Sequence, residues 1–272
     1  VKQLSRYALA EEFSARLLDD GRWVADVDRS WWGWSGPHGG VIAALAVHVA
    51  AESVPEADVR AVDLRFSGRP GDAELRLTST VTSAGRSTRM VDVAIAQQGV
   101  VFASASVTMG HLRPPAATDI ADVSSDVVPS PENCAPFSIP PEIVPMGQHL
   151  DLRPTDGPLP LTGAAEPWMR AWISTVRPMT VDAAYLALLA DCLPPAVFPT
   201  LTAPVAVPTV AFSMHLAAPP DHPGLAPVLV CTRNTSTSGG WSVDDTTLRD
   251  ERGRLLASAR QSRRVLGWEA RR

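Results

Sequence analysis

Two stretches of this chain are apolar around nearly the whole helical circumference, and most of the rest alternates with a period of two between turns. The first is GGVIAALAVHVAA (39–51); the second is AAYLALLADCL (183–193). A helix with no polar face has to be enclosed. Segments such as LRLTSTVT, VFASASVT and LLASARQS alternate apolar and polar residues and read as half-buried strands. The order is made twice: a strand or two, an apolar helix, then several strands. Residues 111–146 are rich in proline and turn-formers and lack sustained periodicity, so they read as an extended connector. It separates an N-terminal unit, 1–110, from a C-terminal unit, 147–272.

The two units are alike in residues as well as in order, which predicts an internal duplication. VFASASVT (101–108) aligns with LLASARQS (255–262), LRLTSTVTSAGRST (75–88) with VLVCTRNTSTSGGWS (228–242), and ALAV (44–47) with LLAD (188–191). The separation of Ser87 from Val107 equals that of Trp241 from Gln261, so the last hairpin is expected to have one length in both copies. The expected fold class is α+β, with two antiparallel sheets each wrapped around a long central helix.

Composition narrows the function. At 272 residues and 45% hydrophobic, the chain can bury a large core. The net charge of −5, from 24 basic and 29 acidic side chains, comes without any basic block, so nucleic acid is not an expected partner. The apolar runs are too short to span a bilayer, and the N-terminal VKQLSRYALAEEF places Glu11 and Glu12 where a signal peptide would be apolar. Cys134, Cys192 and Cys231 are scattered, forming neither a disulfide framework nor a metal site. A cytoplasmic setting without metal or redox cofactor is expected.

Several segments carry chemistry. The first unit contains PHGGVIAALAV and the turn FSGRPGD (66–72); the second contains AEPWMRAWI (165–173), LLADCLPPAVF, TVAFSM and ASARQS. Together these resemble the type II acyl-CoA thioesterases, a double hotdog family, over nearly the whole chain. The resemblance implies hydrolysis of an acyl-CoA to free acid and CoA, with Asp191, Thr209 and Gln261 binding and activating the water. It also implies that the repeat pairs two hotdogs within one chain. A homodimer or higher homo-oligomer of such chains is expected because open hotdog sheets and exposed tryptophans tend to find partners. The chain departs from the family in having Ala211 and Phe212 after Thr209, where an acid and a histidine are frequent, and in having Ser262 and Arg263 after Gln261.

Pro194 disfavours helical backbone at Leu193, so the second helix is expected to end near Cys192, with Asp191 in its last turn. The helix dipole disfavours an anion there by about 0.3–1 kcal/mol. Leu188, Leu189 and Leu193 surround the carboxylate with apolar groups, so a raised pKa and a general-base role are expected, against the alternative of a solvated helix end. Gln261 shares a strand face with Leu255, Ala257 and Ala259, where its amide either bonds to backbone or holds a ligand. Thr209 is ordinary in a strand and is singled out by the resemblance alone.

The duplication sharpens these candidates. Asp191, Thr209 and Gln261 correspond to Val47, Val59 and Val107 in the first copy, whereas His38, Gly39 and Gly40 correspond to Asp182, Ala183 and Ala184. One composite site per chain is therefore expected. The free N–H groups of Gly39 and Gly40 would hold the thioester oxygen as charge develops. His38 would contact substrate, and Trp31, Trp32 and Trp34 would wall the acyl channel or pack its entry. Other chemistries fit less well. GWSGP (33–37) lacks the spacing of a nucleophile elbow. A buried Cys192 would be inert. The D-x-N-x-x-H signature of the related hydratases is not found. A non-catalytic acyl-CoA or lipid-binding module remains the alternative.

Overall fold

The computed structural model describes residues 8–112, 120, 122–217 and 227–266. The first residues of the expected N-terminal unit, part of the connector and the last six residues lie outside the described residues. The strands are β1 (Arg16–Leu17), β2 (Trp23–Ala25), β3 (Asp58–Phe66), β4 (Leu75–Ala84), β5 (Thr88–Gln97), β6 (Val100–Gly110), β7 (Leu150–Asp156), β8 (Trp168–Thr175), β9 (Thr209–Leu216), β10 (Val228–Ser238), β11 (Trp241–Arg249) and β12 (Leu255–Arg264). The helices are α1 (Ala8–Glu12), α2 (Gly39–Ser53) and α3 (Ala183–Leu189).

All strand pairings are antiparallel, in the order β1-β2-β4-β5-β6-β3-β9-β12-β11-β10-β8-β7. The order reads the same from either end once β1 to β6 are matched with β7 to β12, as two hotdog units require. The two expected sheets are joined into one. β3 and β9 pair edge to edge through Asp63 opposite Ser213, so neither leaves an open ladder.

Register carries the duplication further than sequence alignment could. Val62 pairs with Val107 in the first unit and Phe212 with Gln261 in the second. Each copy also has a bulge at the start of its inner strand, at Arg60 in β3 and at Val210 in β9. One expectation is corrected. β5 and β6 are joined by the tight Gln98–Gly99 turn, both residues at positive φ (52° and 84°), whereas β11 and β12 are joined through Asp250–Arg254. Thr88 faces Gly110 and Trp241 faces Arg264, so Thr88, not Ser87, is the counterpart of Trp241 and the second hairpin is one residue longer.

The helices show why the chain breaks where it does. His38 caps α2, its Nδ1 accepting from the Gly40 N–H at 3.1 Å, and Gly40 to Ala51 are all buried. Asp182 caps α3 from the matching position, accepting from Tyr185 N–H at 2.8 Å. α3 runs for only seven residues against fifteen in α2, shorter than the expected long helix. α3 ends at Leu189, three residues before the expected Cys192. The Asp191 and Cys192 N–H groups bond three residues back, to Leu188 and Leu189, in a tightened turn ahead of Pro194 and Pro195, which supply no N–H.

The described part of the connector is docked, although it contains little regular structure. It makes isolated bridges from Val123 to Arg254 and from Phe137 to Leu152, and the Met146 N–H bonds to the Trp32 carbonyl at 3.0 Å.

Candidate active site

Asp191 sits in the turn just beyond α3, its N–H bonded to the Leu188 carbonyl at 3.3 Å. Thr209 opens β9, and its inward direction depends on the bulge at Val210. Without the extra residue, Thr209 would lie on the opposite face from Phe212; with it, Thr209 pairs with Arg263 and faces the core. Gln261 and Arg263 stand two residues apart on β12 and so share that face. Asp244 on β11 lies directly opposite Gln261, and Asn234 on β10 directly opposite Asp244.

These side chains form one buried network. Gln261 Nε2 donates to Asp191 Oδ1 at 2.6 Å and to Thr209 Oγ1 at 3.3 Å. Arg263 donates from Nη1 to Thr209 Oγ1 at 2.7 Å, and from Nη2 to Gln261 Oε1 at 2.5 Å and Asp191 Oδ1 at 3.1 Å. Its Nε faces Asp244 Oδ2 at 3.0 Å as an ion pair. Asp244 is held in turn by the Ala196 N–H at 3.2 Å and by Asn234 Nδ2 at 2.9 Å. The three residues singled out in the sequence are thus brought into contact. Arg263 and Asp244, which sequence reasoning missed, bind them together. Part of the signal was present: Arg263 is a charged residue on the apolar face of β12, where the first copy has Met109. Asp244, by contrast, shares its face of β11 with Ser242 and Thr246 and stands where the first copy has Val91. The one-residue difference between the hairpins hid Asp244 by placing Asp245 at that position.

The electrostatics differ from expectation. Burial works to raise the Asp191 carboxyl. His38 and Arg263 beside it, with hydrogen bonds from Gln261 and Arg263, outweigh burial and hold it below the ordinary 3.8. The raised pKa predicted from its apolar neighbours is therefore corrected to a lowered one, because a histidine and an arginine that the linear sequence sets apart fold against it. Burial lowers His38 below 6.5 despite Asp191 nearby. A neutral His38 whose Nδ1 accepts from Gly40 carries its proton on Nε2, 3.7 Å from Asp191 Oδ2. Cys192 donates to the Leu188 carbonyl and its thiol is raised well above the usual value, first by burial and then by Asp191, so it is no nucleophile.

The network borders a cavity of about 410 Å³ lined by Asp191, Thr209 and Arg263 from the second copy and by His38, Gly39 and Trp34 from the first. Gln261, only 1% exposed, lies behind it. Apolar side chains, among them Phe66, Phe137, Ile139 and Phe198, form most of the wall, and Phe137 and Ile139 come from the connector. Of the three tryptophans only Trp34 lines the cavity, half-exposed, with its ring 6.2 Å from that of Phe198. Trp31 is buried, stacked on His149 at 4.0 Å and edge-on to Phe13 at 5.2 Å. Trp32 donates to the Val27 carbonyl at 3.4 Å beneath Arg29.

The glycines serve a closer purpose than an open oxyanion cradle. A Cβ on Gly39 would lie 2.7 Å from Asp191 Oδ2, and one on Gly40 would lie 2.6 Å from the Leu188 carbonyl oxygen. Their absence of side chains lets the start of α2 meet the end of α3. His38 already occupies the Gly40 N–H, so among the described residues Gly39 N–H is the donor left free of the expected pair.

A large antiparallel sheet closed over helices in two tandem copies, with a polar cluster between the copies, defines a double hotdog thioester hydrolase. Residues 28–110 match the acyl-CoA thioesterase N-terminal domain and residues 131–265 the acyl-CoA thioesterase C-terminal domain, and the chain belongs to this family. An uncharacterized protein of Mycobacterium tuberculosis is 26% identical over 251 residues, covering 82% of this chain and 84% of that protein. Among solved structures, a hot dog fold protein of unknown function from Alicyclobacillus acidocaldarius superposes with TM-score 0.85 at 24% identity, over 96% of this chain and 98% of the other. An acyl-CoA thioesterase II from Mycobacterium marinum superposes with TM-score 0.71 at 18% identity, over 95% and 98%. At these identities the structural likeness is one of fold.

Proposed function

We propose that the chain hydrolyses acyl-CoA with an apolar acyl group, using a water activated by Asp191 at the junction of the two copies. The observation that carries this reading is the division of labour between the carboxylate oxygens. Oδ1 receives both hydrogen bonds from Gln261 and Arg263, while Oδ2 lies toward Gly39 and His38, residues that line the cavity. A water there gives its proton to Oδ2 as its oxygen attacks the thioester carbon. Thr209, already accepting two N–H groups, directs its own hydrogen outward to that water. Gly39 N–H and His38 Nε2–H face the developing oxyanion. The C–S bond then breaks, and the CoA thiolate recovers the proton from Asp191. The apolar wall, rather than any charged group, receives the acyl chain.

Thiol release measured over a panel of acyl-CoAs of graded length tests this reading. Hydrolysis of apolar acyl-CoAs is expected, with Asp191→Asn lowering kcat by about 100-fold or more and leaving KM and the unfolding temperature nearly unchanged. Native-like turnover by Asp191→Asn would remove the carboxylate from the mechanism. Binding of every acyl-CoA without cleavage would make the chain a carrier instead.

A further inference from the structure

We infer that Arg263, backed by Asp244, is a positioning residue for the hydrolysis, the element that fixes which way every hydrogen bond at the site points. The inference rests on the hydrolase reading above and deepens it.

The geometry assigns the role bond by bond. An amide such as Gln261 can be turned end for end at little cost, and one orientation would aim its oxygen at the carboxylate. Arg263 Nη2 donates to Gln261 Oε1 at 2.5 Å, which commits the oxygen and leaves Nε2 to donate to Asp191 and Thr209. Both Nε2 hydrogens are then used, so Gln261 holds no water itself; its 1% exposure behind the cavity wall agrees. Arg263 Nη1, by donating to Thr209 Oγ1 at 2.7 Å, sends the threonine hydrogen toward the cavity. Nη2 also loads Asp191 Oδ1, leaving Oδ2 as the proton acceptor. A planar fork of donors makes these contacts together, which a lysine ammonium cannot reproduce.

Asp244 explains how a guanidinium can be buried here. It is fully buried, 3.0 Å from Arg263 Nε, and is itself held by Asn234 and the Ala196 N–H. The counterparts of Asp244, Gln261 and Arg263 in the first copy are Val91, Val107 and Met109, each fully buried. The fork therefore belongs to the copy that carries the site. The charged and titratable groups facing Asp191 are His38 from the start of α2 and Arg263 from β12, with Asp244 on β11 behind Arg263 and Cys192 next in the chain.

The test uses the full chain and the acyl-CoA it cleaves fastest. Arg263→Gln is expected to lower kcat by about tenfold or more with KM within about twofold, and to move the acid limb of kcat to higher pH as Asp191 loses its fixed cation. Arg263→Lys keeps the charge but not the fork, so it should retain the native acid limb while kcat stays low. Because Arg263→Gln leaves Asp244 buried without its cation, it can fail to fold. The double variant Arg263→Met with Asp244→Asn removes both charges and should fold, with kcat low and the acid limb raised. Thermal unfolding of each variant separates loss of fold from loss of rate. A folded variant lacking the guanidinium that keeps native kcat, or an acid limb that does not move in Arg263→Gln or in the double variant, overturns the role of Arg263. If Asp191→Asn is inactive in the same assay, the hydrolase reading survives that result. A native protein that cleaves no acyl-CoA overturns both.

Discussion

Gly39 and Gly40 look interchangeable in the sequence, yet a methyl group added at each meets a different atom. At Gly39 it meets Asp191 Oδ2, the tip of a side chain, 2.7 Å away; at Gly40 it meets the backbone oxygen of Leu188 at 2.6 Å. A carboxylate can rotate aside, whereas a carbonyl moves only with its helix. Gly39→Ala should therefore lower kcat by about tenfold or more with a small change in unfolding temperature, since it displaces the carboxylate proposed as proton acceptor. Gly40→Ala should lower both, because α2 and α3 must separate. Rates and thermal unfolding measured together check this; equal behaviour of the two variants would show that the glycines serve helix packing alone. At this scale the sequence was partly legible. A polar residue on an apolar face is visible in one dimension, so Asp191 and Gln261 stood out. What each polar atom bonds to is not visible, and the raised pKa expected for Asp191 failed because His38 and Arg263, with the hydrogen bond from Gln261, reach it only through the fold.

Helix caps and burial set the response of the elements to pH. Burial holds His48, within α2 and edge-on to Trp23 at 5.2 Å, at a pKa of about 4 instead of 6.5. Between pH 6.5 and about 4 the unfolded chain binds a proton there that the folded chain does not, so stability falls as the pH falls. Asp182, the cap of α3, is raised by burial from 3.8 to about 6, against the pull of the Tyr185 and Ala184 N–H groups. Between about 6 and 3.8 the folded chain keeps a proton that the unfolded chain has lost, so stability rises as the pH falls. The two contributions oppose each other over nearly the same window. Asp182→Asn keeps a good cap and removes one of them. Its denaturant midpoint should fall more steeply than that of the native chain from pH 6.5 to 4, the difference in stability approaching at most about 1.4 kcal/mol per pH unit. An unchanged slope would show that Asp182 does not titrate in this window.

Across the whole molecule, two like units meet and only the second carries the buried polar network, whose place the first fills with apolar side chains. Val47 is fully buried at the position matching Asp191, and its neighbours by equivalence, Val59, Val91, Val107 and Met109, are buried and apolar. Val47→Asp should therefore create no second site. It should destabilise by about 3 kcal/mol or more through an uncompensated buried carboxylate, with turnover per folded molecule unchanged. Denaturant unfolding and active-site-normalised rates check both parts; a gain in turnover would mean the copies are chemically equivalent.

Periodicity and self-similarity in the sequence alone determined the two enclosed helices, the antiparallel strands, their duplication and the copy that carries polar groups. These are local or repeated signals, and each can be read without knowing what lies across the fold. The tertiary structure decided the rest. The edge pairing of β3 with β9 merged two sheets. The bulge at Val210 turned Thr209 inward, and a hairpin one residue longer set Asp244, not Asp245, against Arg263. Each of these is a matter of register, and register belongs to a pair of strands. A shift of one residue exchanges the buried and exposed faces while leaving the composition and period of either strand unaltered.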